Sequence, residues 1–198
     1  MRISSAIKRA VQISGPKLAT DYLDRQQSWN KFGERVAKLA GALVKLGVEP
    51  GQRIAMLSLN SDRYLEYFFA VPWAGAVFVP INTRLVAPEF VHWLSDSGSS
   101  ILFIDDAFLA VWPVIEGQLP NIHTVIYVGE NETPEGMLSY EMLLADAEPI
   151  ESRDQGGDEL AGLLYTGGTT GRSKGVMLSH KNLLINSLQF GPDAGYSA

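Results

Sequence analysis

Apolar residues along this chain recur with two periods, one typical of amphipathic helices and the other of short buried strands. Residues 28–47 carry apolar side chains three or four positions apart, with Ser28 placed to cap a helix and Gly47 to end it. A short helix is also predicted near the start, where Ile3, Ile7 and Val11 share one side. Further helices are predicted over residues 61–72, 88–98, 106–117, 138–147 and 181–190. Strands are predicted over residues 53–59, 76–80, 100–104, 123–128, 159–166 and 175–179.

The alternation of these strands and helices predicts an α/β fold. Right-handed βαβ units place successive strands side by side, so we expect a mainly parallel sheet flanked by helices on both faces. The polar stretch at residues 148–159 contains two adjacent glycines and is typical of a linker. We therefore predict a first α/β subdomain at 1–150, a linker or flexible loop at 151–158, and a second subdomain beginning within 159–198.

Composition narrows the class of protein. Apolar residues make up 46% and charged residues 19% of the chain, which is enough for a packed core. The net charge of −6 and the absence of a basic stripe argue against nucleic-acid binding. The chain has no cysteine, which excludes disulfides and fits a reducing cytoplasm. The longest apolar run, residues 67–81, is too short for a membrane span, and the first residues do not read as a secretion signal.

The stretch LLYTGGTTGRSKGVMLSH, residues 163–180, has the composition of a phosphate-binding loop. Glycines let backbone N–H groups approach a ligand closely, and successive N–H groups can form an anion-binding nest. Threonine hydroxyls add donors, and a lysine adds a mobile positive charge. We predict that this phosphate loop, residues 166–174, binds the ligand through Thr166, Gly167, Gly168, Thr169, Thr170, Gly171 and Lys174.

Three alternatives compete with this interpretation. The plainest is a mobile surface loop rich in small residues. A Walker P-loop does not fit, because Lys174 stands between Ser173 and Gly175 and strand-like residues follow. A Rossmann fingerprint does not fit either, because no G-x-G-x-x-G joins a strand to a helix.

The order of residues from Tyr165 to Val176 resembles the phosphate-loop signature of the adenylate-forming synthetases, with His180 at the position where that family has a histidine. The usual form has Ser where this chain has Gly167 and Pro where it has Ser173. Residues 39–105 are similar to the first third of acyl-CoA synthetases. The resemblance implies that the chain forms part of the large N-terminal domain of an adenylate-forming enzyme.

The resemblance also implies a reaction. In that family a carboxylate reacts with Mg-ATP to give an acyl-adenylate and pyrophosphate, and the acyl group then passes to a thiol, usually that of coenzyme A. The loop threonines and glycines would hold the β- and γ-phosphates, and Lys174 would act as the catalytic lysine that neutralises the leaving group. The usual Mg²⁺ ligand is expected outside this chain. The Gly167 variant favours a fatty acid as the substrate.

Family members are much longer than this chain, so we expect an N-terminal fragment that is inactive alone. The alternative is a non-catalytic scaffold or interaction module. A lobe cut from a larger core exposes apolar surface, so we also expect self-association as a homodimer or aggregates. His92 and His123 are interpreted as structural. His180 is interpreted mainly as the start of a helix, with a catalytic part as the alternative. Asp154, Asp158 and Glu159 are expected to form a solvated acidic patch.

Overall fold

A computed structural model of the chain describes residues 1–154, 156–167 and 173–193. The helices are α1 (Ile3–Ser14), α2 (Trp29–Lys45), α3 (Asp62–Trp73), α4 (Ala87–Ser97), α5 (Trp112–Ile115), α6 (Tyr140–Ala145) and α7 (His180–Asp193). The strands are β1 (Leu18–Tyr22), β2 (Arg25–Ser28), β3 (Arg53–Leu57), β4 (Val77–Pro80), β5 (Ile101–Ile104), β6 (Thr124–Tyr127), β7 (Leu138–Ser139), β8 (Leu160–Thr166) and β9 (Lys174–Ser179).

The main sheet has seven strands in the order β7-β6-β5-β3-β4-β8-β9. Every neighbouring pair in this sheet is parallel except β8 with β9, which is antiparallel. The prediction of an α/β fold with a mainly parallel sheet is therefore confirmed.

The sheet is buried on both faces, because alternate residues of each central strand point to opposite layers of helices. Ile54 and Met56 of β3 pack in a cluster with α1, α2, α3 and α6. Ala55 and Leu57 of the same strand pack with α4 and α5 on the other face. Within the described ranges, no helix has the length and apolarity that crossing a bilayer requires.

The ends of the predicted helices follow their sequence signals in most places. Ser28 Oγ accepts a hydrogen bond from Lys31 N–H at the start of α2, and Gly47 has a φ of 87° just beyond its end. The continuous helix predicted over 106–117 is wrong. The structure has 3₁₀ turns at Asp106–Phe108 and Glu116–Gln118 around the short α5, although Asp105 does cap the first turn through Ala107 N–H.

A two-stranded hairpin of β1 and β2 precedes α2, and the sequence analysis did not predict it. Leu23 and Asp24 form the turn, and Leu23 has a φ of 53°. Arg25 beside this turn donates two hydrogen bonds to the buried Asp62, at 3.0 and 2.8 Å. The hairpin is thus tied to the start of α3 by a charged pair rather than by apolar packing alone.

The described residues of the predicted linker region, 148–154 and 156–157, make contacts with α1, α2 and the N-terminal residue instead of standing free in solvent. Ile150 N–H donates to Ala37 O at 3.3 Å, and Gly157 N–H donates to Met1 O at 2.7 Å. Asp154 is only 3% exposed, so its place in a solvated acidic patch was wrong; its carboxylate accepts a hydrogen bond from Ser4 Oγ. The proposed division of the chain at 151–158 stays a prediction.

Candidate functional site

The candidate site is the end of the β8–β9 hairpin from which the phosphate loop leaves, between Thr166 and Lys174. Strand β8 runs parallel to β4, with Phe78 opposite Gly162. The end of β8 therefore lies at the edge where the parallel strands have their carboxyl ends. Ligand sites in open α/β sheets are found at this edge.

Thr166 and Lys174 face each other as the last Cα pair of the β8–β9 ladder. Both residues are exposed, and so is Gly167. A Cβ added at Gly167 would find no described atom within 4 Å. The structure thus brings three of the predicted binding residues together at the loop end of the β8–β9 hairpin. The remaining predicted residues, Gly168, Thr169, Thr170 and Gly171, lie outside the described residues.

Tyr165 holds the stem of the loop on the β8 side. Its ring stacks on the buried Trp93 of α4, with centroids 4.8 Å apart and planes at 22°. Its hydroxyl donates to Asp96 Oδ2 at 2.6 Å. Burial and the neighbouring Asp96 carboxylate raise the pKa of Tyr165, so the hydroxyl stays protonated and keeps donating.

His92 lies beside the stem on the β9 side. Its Nε2 is 3.4 Å from the carbonyl oxygen of Ser173, to which it can donate only as the tautomer protonated at Nε2. A cavity of about 520 Å³ opens at this point between the start of α4 and Ser173. His92 therefore has a structural contact, as predicted, but the contact is with the loop.

His180 is buried, with 2% of its surface exposed, and its side chain faces the N-terminal segment. Its Nδ1 accepts a hydrogen bond from Ile3 N–H and lies 3.7 Å from Asp154 Oδ2. Burial lowers the pKa of His180 below its usual value, against the opposing effect of Asp154 and Glu159. These contacts support the structural interpretation of His180 at the start of α7.

Carboxylates at the same edge of the sheet are occupied by structural contacts. Asp105 accepts from Leu59 N–H at 2.7 Å, and Asp106 accepts from Glu130 N–H and from the Tyr127 hydroxyl. Among the described residues, no group of three His, Asp or Glu side chains is arranged to hold a metal ion. Asp105 and Asp106 thus serve local structure.

The part that α4 plays at this site was not predicted from the sequence. Neither Trp93 nor Asp96 was assigned a role at the loop. The spacing of His92 and Asp96 by four residues does place them on one helix face. Nothing in the sequence shows that Tyr165, 69 residues after Asp96, is their neighbour.

Comparison with known proteins identifies the family of this chain. The model of the family described as AMP-binding enzyme matches residues 7–196. The chain belongs to the AMP-binding enzyme family. This confirms the resemblance to adenylate-forming synthetases that the phosphate-loop residues indicated.

Relatives of this AMP-binding chain include ligases for different acids. The chain is 34% identical over 187 residues to a long-chain-fatty-acid–CoA ligase of Thermus thermophilus, and the alignment covers 92% of this chain and 34% of the relative. It is 38% identical over 166 residues to a feruloyl-CoA synthase of Amycolatopsis sp, covering 80% of this chain and 29% of the relative.

A solved structure has the same fold. The crystal structure of the anthranilate CoA ligase AuaEII in complex with anthranoyl-AMP aligns with a TM-score of 0.91 and 27% identity, over 96% of this chain and 37% of that chain. The expectation that the fold belongs to the N-terminal domain of adenylate-forming enzymes is therefore confirmed. The chain spans about a third of the length of the proteins it matches.

Proposed function

We propose that the protein containing this chain is an ATP-dependent acyl-CoA synthetase. A carboxylate oxygen attacks the α-phosphorus of ATP, the bond to the bridging oxygen breaks, and pyrophosphate leaves. The thiol of coenzyme A then attacks the acyl carbonyl carbon, and AMP leaves as the thioester forms. The observation that carries this proposal is the placement of Thr166 and Lys174 opposite each other at the loop end of the β8–β9 hairpin.

The residues of the loop act on the triphosphate. The hydroxyls of Thr166, Thr169 and Thr170 and the glycine N–H groups donate to the β- and γ-phosphate oxygens, and Lys174 neutralises the charge that develops on pyrophosphate. Such charge-assisted hydrogen bonds are each worth about 1.5–3 kcal/mol. The family resemblance implies that the usual carboxylate ligand of Mg²⁺ lies outside this chain, so we assign no residue here to the metal.

The acyl substrate proposed is a fatty acid. The Gly167 variant and the similarity to the long-chain-fatty-acid–CoA ligase support this choice. The feruloyl-CoA synthase makes an aryl acid the alternative, so both classes of acid belong in the assay.

ATP–pyrophosphate exchange tests the proposal, with dodecanoate and ferulate as the acids. The longest gene product that contains this chain should catalyse exchange, whereas residues 1–198 alone should not. Lys174→Ala should lower kcat/KM by about 100-fold or more, by analogy with the loss of one transition-state donor. Lys181→Ala is the matched control, because Lys181 is half exposed and paired with Asp158 on the surface.

Two results would each overturn one part of the proposal. Exchange at the wild-type rate by Lys174→Ala would remove the catalytic lysine from the mechanism. Exchange by residues 1–198 alone would show that this chain needs no further sequence, against the expectation that it is inactive alone.

A non-catalytic interaction module is the second candidate, and it is favoured by apolar residues exposed on the edge strand and on α7. Met177 of β9 is 68% exposed, and Leu188 and Phe190 of α7 are 66% and 64% exposed. Under this alternative, residues 1–198 form a dimer through that surface. Sedimentation equilibrium of the wild type and of the Met177→Lys variant tests this alternative. If both proteins are monomers, the proposed interaction module has no interface.

A further inference from the structure

Helix α4 contacts both stems of the phosphate loop, although it is far from the loop in sequence. We call Tyr165–Thr166 the first stem and Ser173–Lys174 the second stem. Trp93 and Asp96 contact the first stem, and His92 contacts the second. One helix face therefore reaches the Tyr165 side chain on one side of the loop and the Ser173 backbone on the other.

The first stem is held on three sides through the Tyr165 ring. Trp93 lies against one face of the ring, and Asp96 accepts the hydroxyl hydrogen bond at 2.6 Å. Across the ladder, a Cβ added at Gly175 would lie 3.3 Å from Tyr165 Cζ, so the ring covers that glycine closely. The ring is thus contacted on both faces and at its hydroxyl.

The second stem has a weaker contact. The distance of 3.4 Å between His92 Nε2 and Ser173 O is at the long end for a hydrogen bond. Ser173 directly precedes Lys174, so this contact acts on the backbone next to the proposed catalytic lysine. The ends of β-ladders otherwise open easily, because few contacts oppose local unfolding there.

We propose that α4 positions Thr166 and Lys174 by holding the two stems to which they belong. Asp96 and Trp93 are positioning residues that act on Thr166 through Tyr165, and His92 is a positioning residue that acts on Lys174 through Ser173. The inference rests on the proposed function for its catalytic consequence, because Thr166 and Lys174 must face the triphosphate together. Its structural part, the holding of the stems, is independent of that function.

The first measurement is amide hydrogen exchange of the stem residues in the 198-residue chain, followed by NMR. Tyr165→Phe keeps the ring on Trp93 and removes only the hydroxyl, and we expect about tenfold faster exchange at Thr166 and Lys174. Asp96→Ala should have the same effect, and Asp96→Asn should restore part of the protection because its amide oxygen still accepts.

Tyr127→Phe is the matched control. Tyr127 also donates to an aspartate, Asp106, but at the end of β6 and away from the loop. It should leave exchange at the two stems unchanged, even where it lowers stability. If Tyr165→Phe and Asp96→Ala also leave stem exchange unchanged, the inference is overturned.

The second measurement is ATP–pyrophosphate exchange by the longest gene product that contains the chain. Tyr165→Phe should raise KM for ATP about tenfold while KM for the acid stays the same, a split that a general loss of stability does not produce. An unchanged KM for ATP, together with faster stem exchange, would overturn the positioning role. An inactive wild type would refute the proposed function instead, and the hydrogen-exchange result would still decide whether α4 holds the stems.

Discussion

Gly162 is the residue through which the β8–β9 hairpin pairs with the parallel strand β4, and its substitution by alanine tests that junction. A Cβ at this position would lie 2.3 Å from Cε2 and 2.4 Å from Cζ of Phe78. Carbon atoms in contact are normally about 3.5–4.0 Å apart, so the ring must move by more than about 1 Å. Phe78 is 4% exposed and packs edge-on against Phe68 at 5.1 Å, which leaves the ring little room.

The magnitude follows from two opposing effects. Forcing an extra methyl group into a packed core costs about 1–3 kcal/mol. Replacing glycine by alanine also restricts the unfolded chain, which stabilises the protein by about 0.4–1 kcal/mol where the site is unstrained. The clash is the larger effect, so we expect Gly162→Ala to lower the free energy of unfolding by about 1–2 kcal/mol.

Urea unfolding of the 198-residue chain, followed by far-UV circular dichroism, measures this change. Gly117→Ala is the matched control, because a Cβ at Gly117 would meet nothing within 4 Å and the residue does not have a positive φ. The same substitution there should be neutral or stabilising. The sign of the change should therefore differ between the two glycines.

A double-mutant cycle with Phe78→Leu isolates the clash. The smaller side chain makes room for the new methyl group, so Gly162→Ala should cost less in the Phe78→Leu background than in the wild type. A Gly162→Ala variant as stable as the wild type, or equal costs in both backgrounds, would show that Phe78 does not limit this position.

Two further predictions concern buried charges. Glu66 is fully buried, and its carboxylate accepts a hydrogen bond from Arg35 Nε at 2.7 Å. Glu66→Gln should therefore lower the free energy of unfolding in urea by about 3 kcal/mol. Glu34 is exposed, so Glu34→Gln should lower it by only about 0–1 kcal/mol. Equal costs for the two variants would contradict the role given to burial. Burial lowers the pKa of His180 in the folded state. As the pH falls, the unfolded state therefore binds a proton at His180 before the folded state does. The stability of the wild type should fall as the pH drops below about 6.5. In His180→Gln this part of the pH dependence should disappear, and an unchanged slope between pH 8 and pH 5 would contradict the assignment.

The central part of the fold could be predicted because its local signals agree with one another. From β3 to β5, short apolar strands alternate with capped amphipathic helices, and the structure places both kinds of element within a few residues of the prediction. The β1–β2 hairpin could not be predicted in this way. Its turn is Leu23-Asp24 rather than an Asn-Gly pair, and its strands are mostly polar.

The candidate site was predictable in its residues but not in its support. The glycines, threonines and lysine of the loop lie together in sequence, so a motif identifies them. The contacts of Tyr165 with Trp93 and Asp96 arise only when β8 pairs with β4 and brings the hairpin over α4. The burial of Asp154 likewise depends on a contact between residues distant in sequence, since its partner Ser4 lies 150 residues earlier in the chain.

Gly175 shows how a motif position can mislead when it is interpreted only through a ligand. It belongs to the run that resembles a nucleotide-binding signature, yet its missing side chain is what lets the aromatic ring of Tyr165 lie flat across the neighbouring strand. An alanine there would bring its Cβ to 3.3 Å from the ring, so this glycine also serves the packing of the tyrosine, whatever the loop binds. In a related sequence, a glycine at this position would therefore indicate this packing, and the lysine beside it is the better indicator of phosphate chemistry.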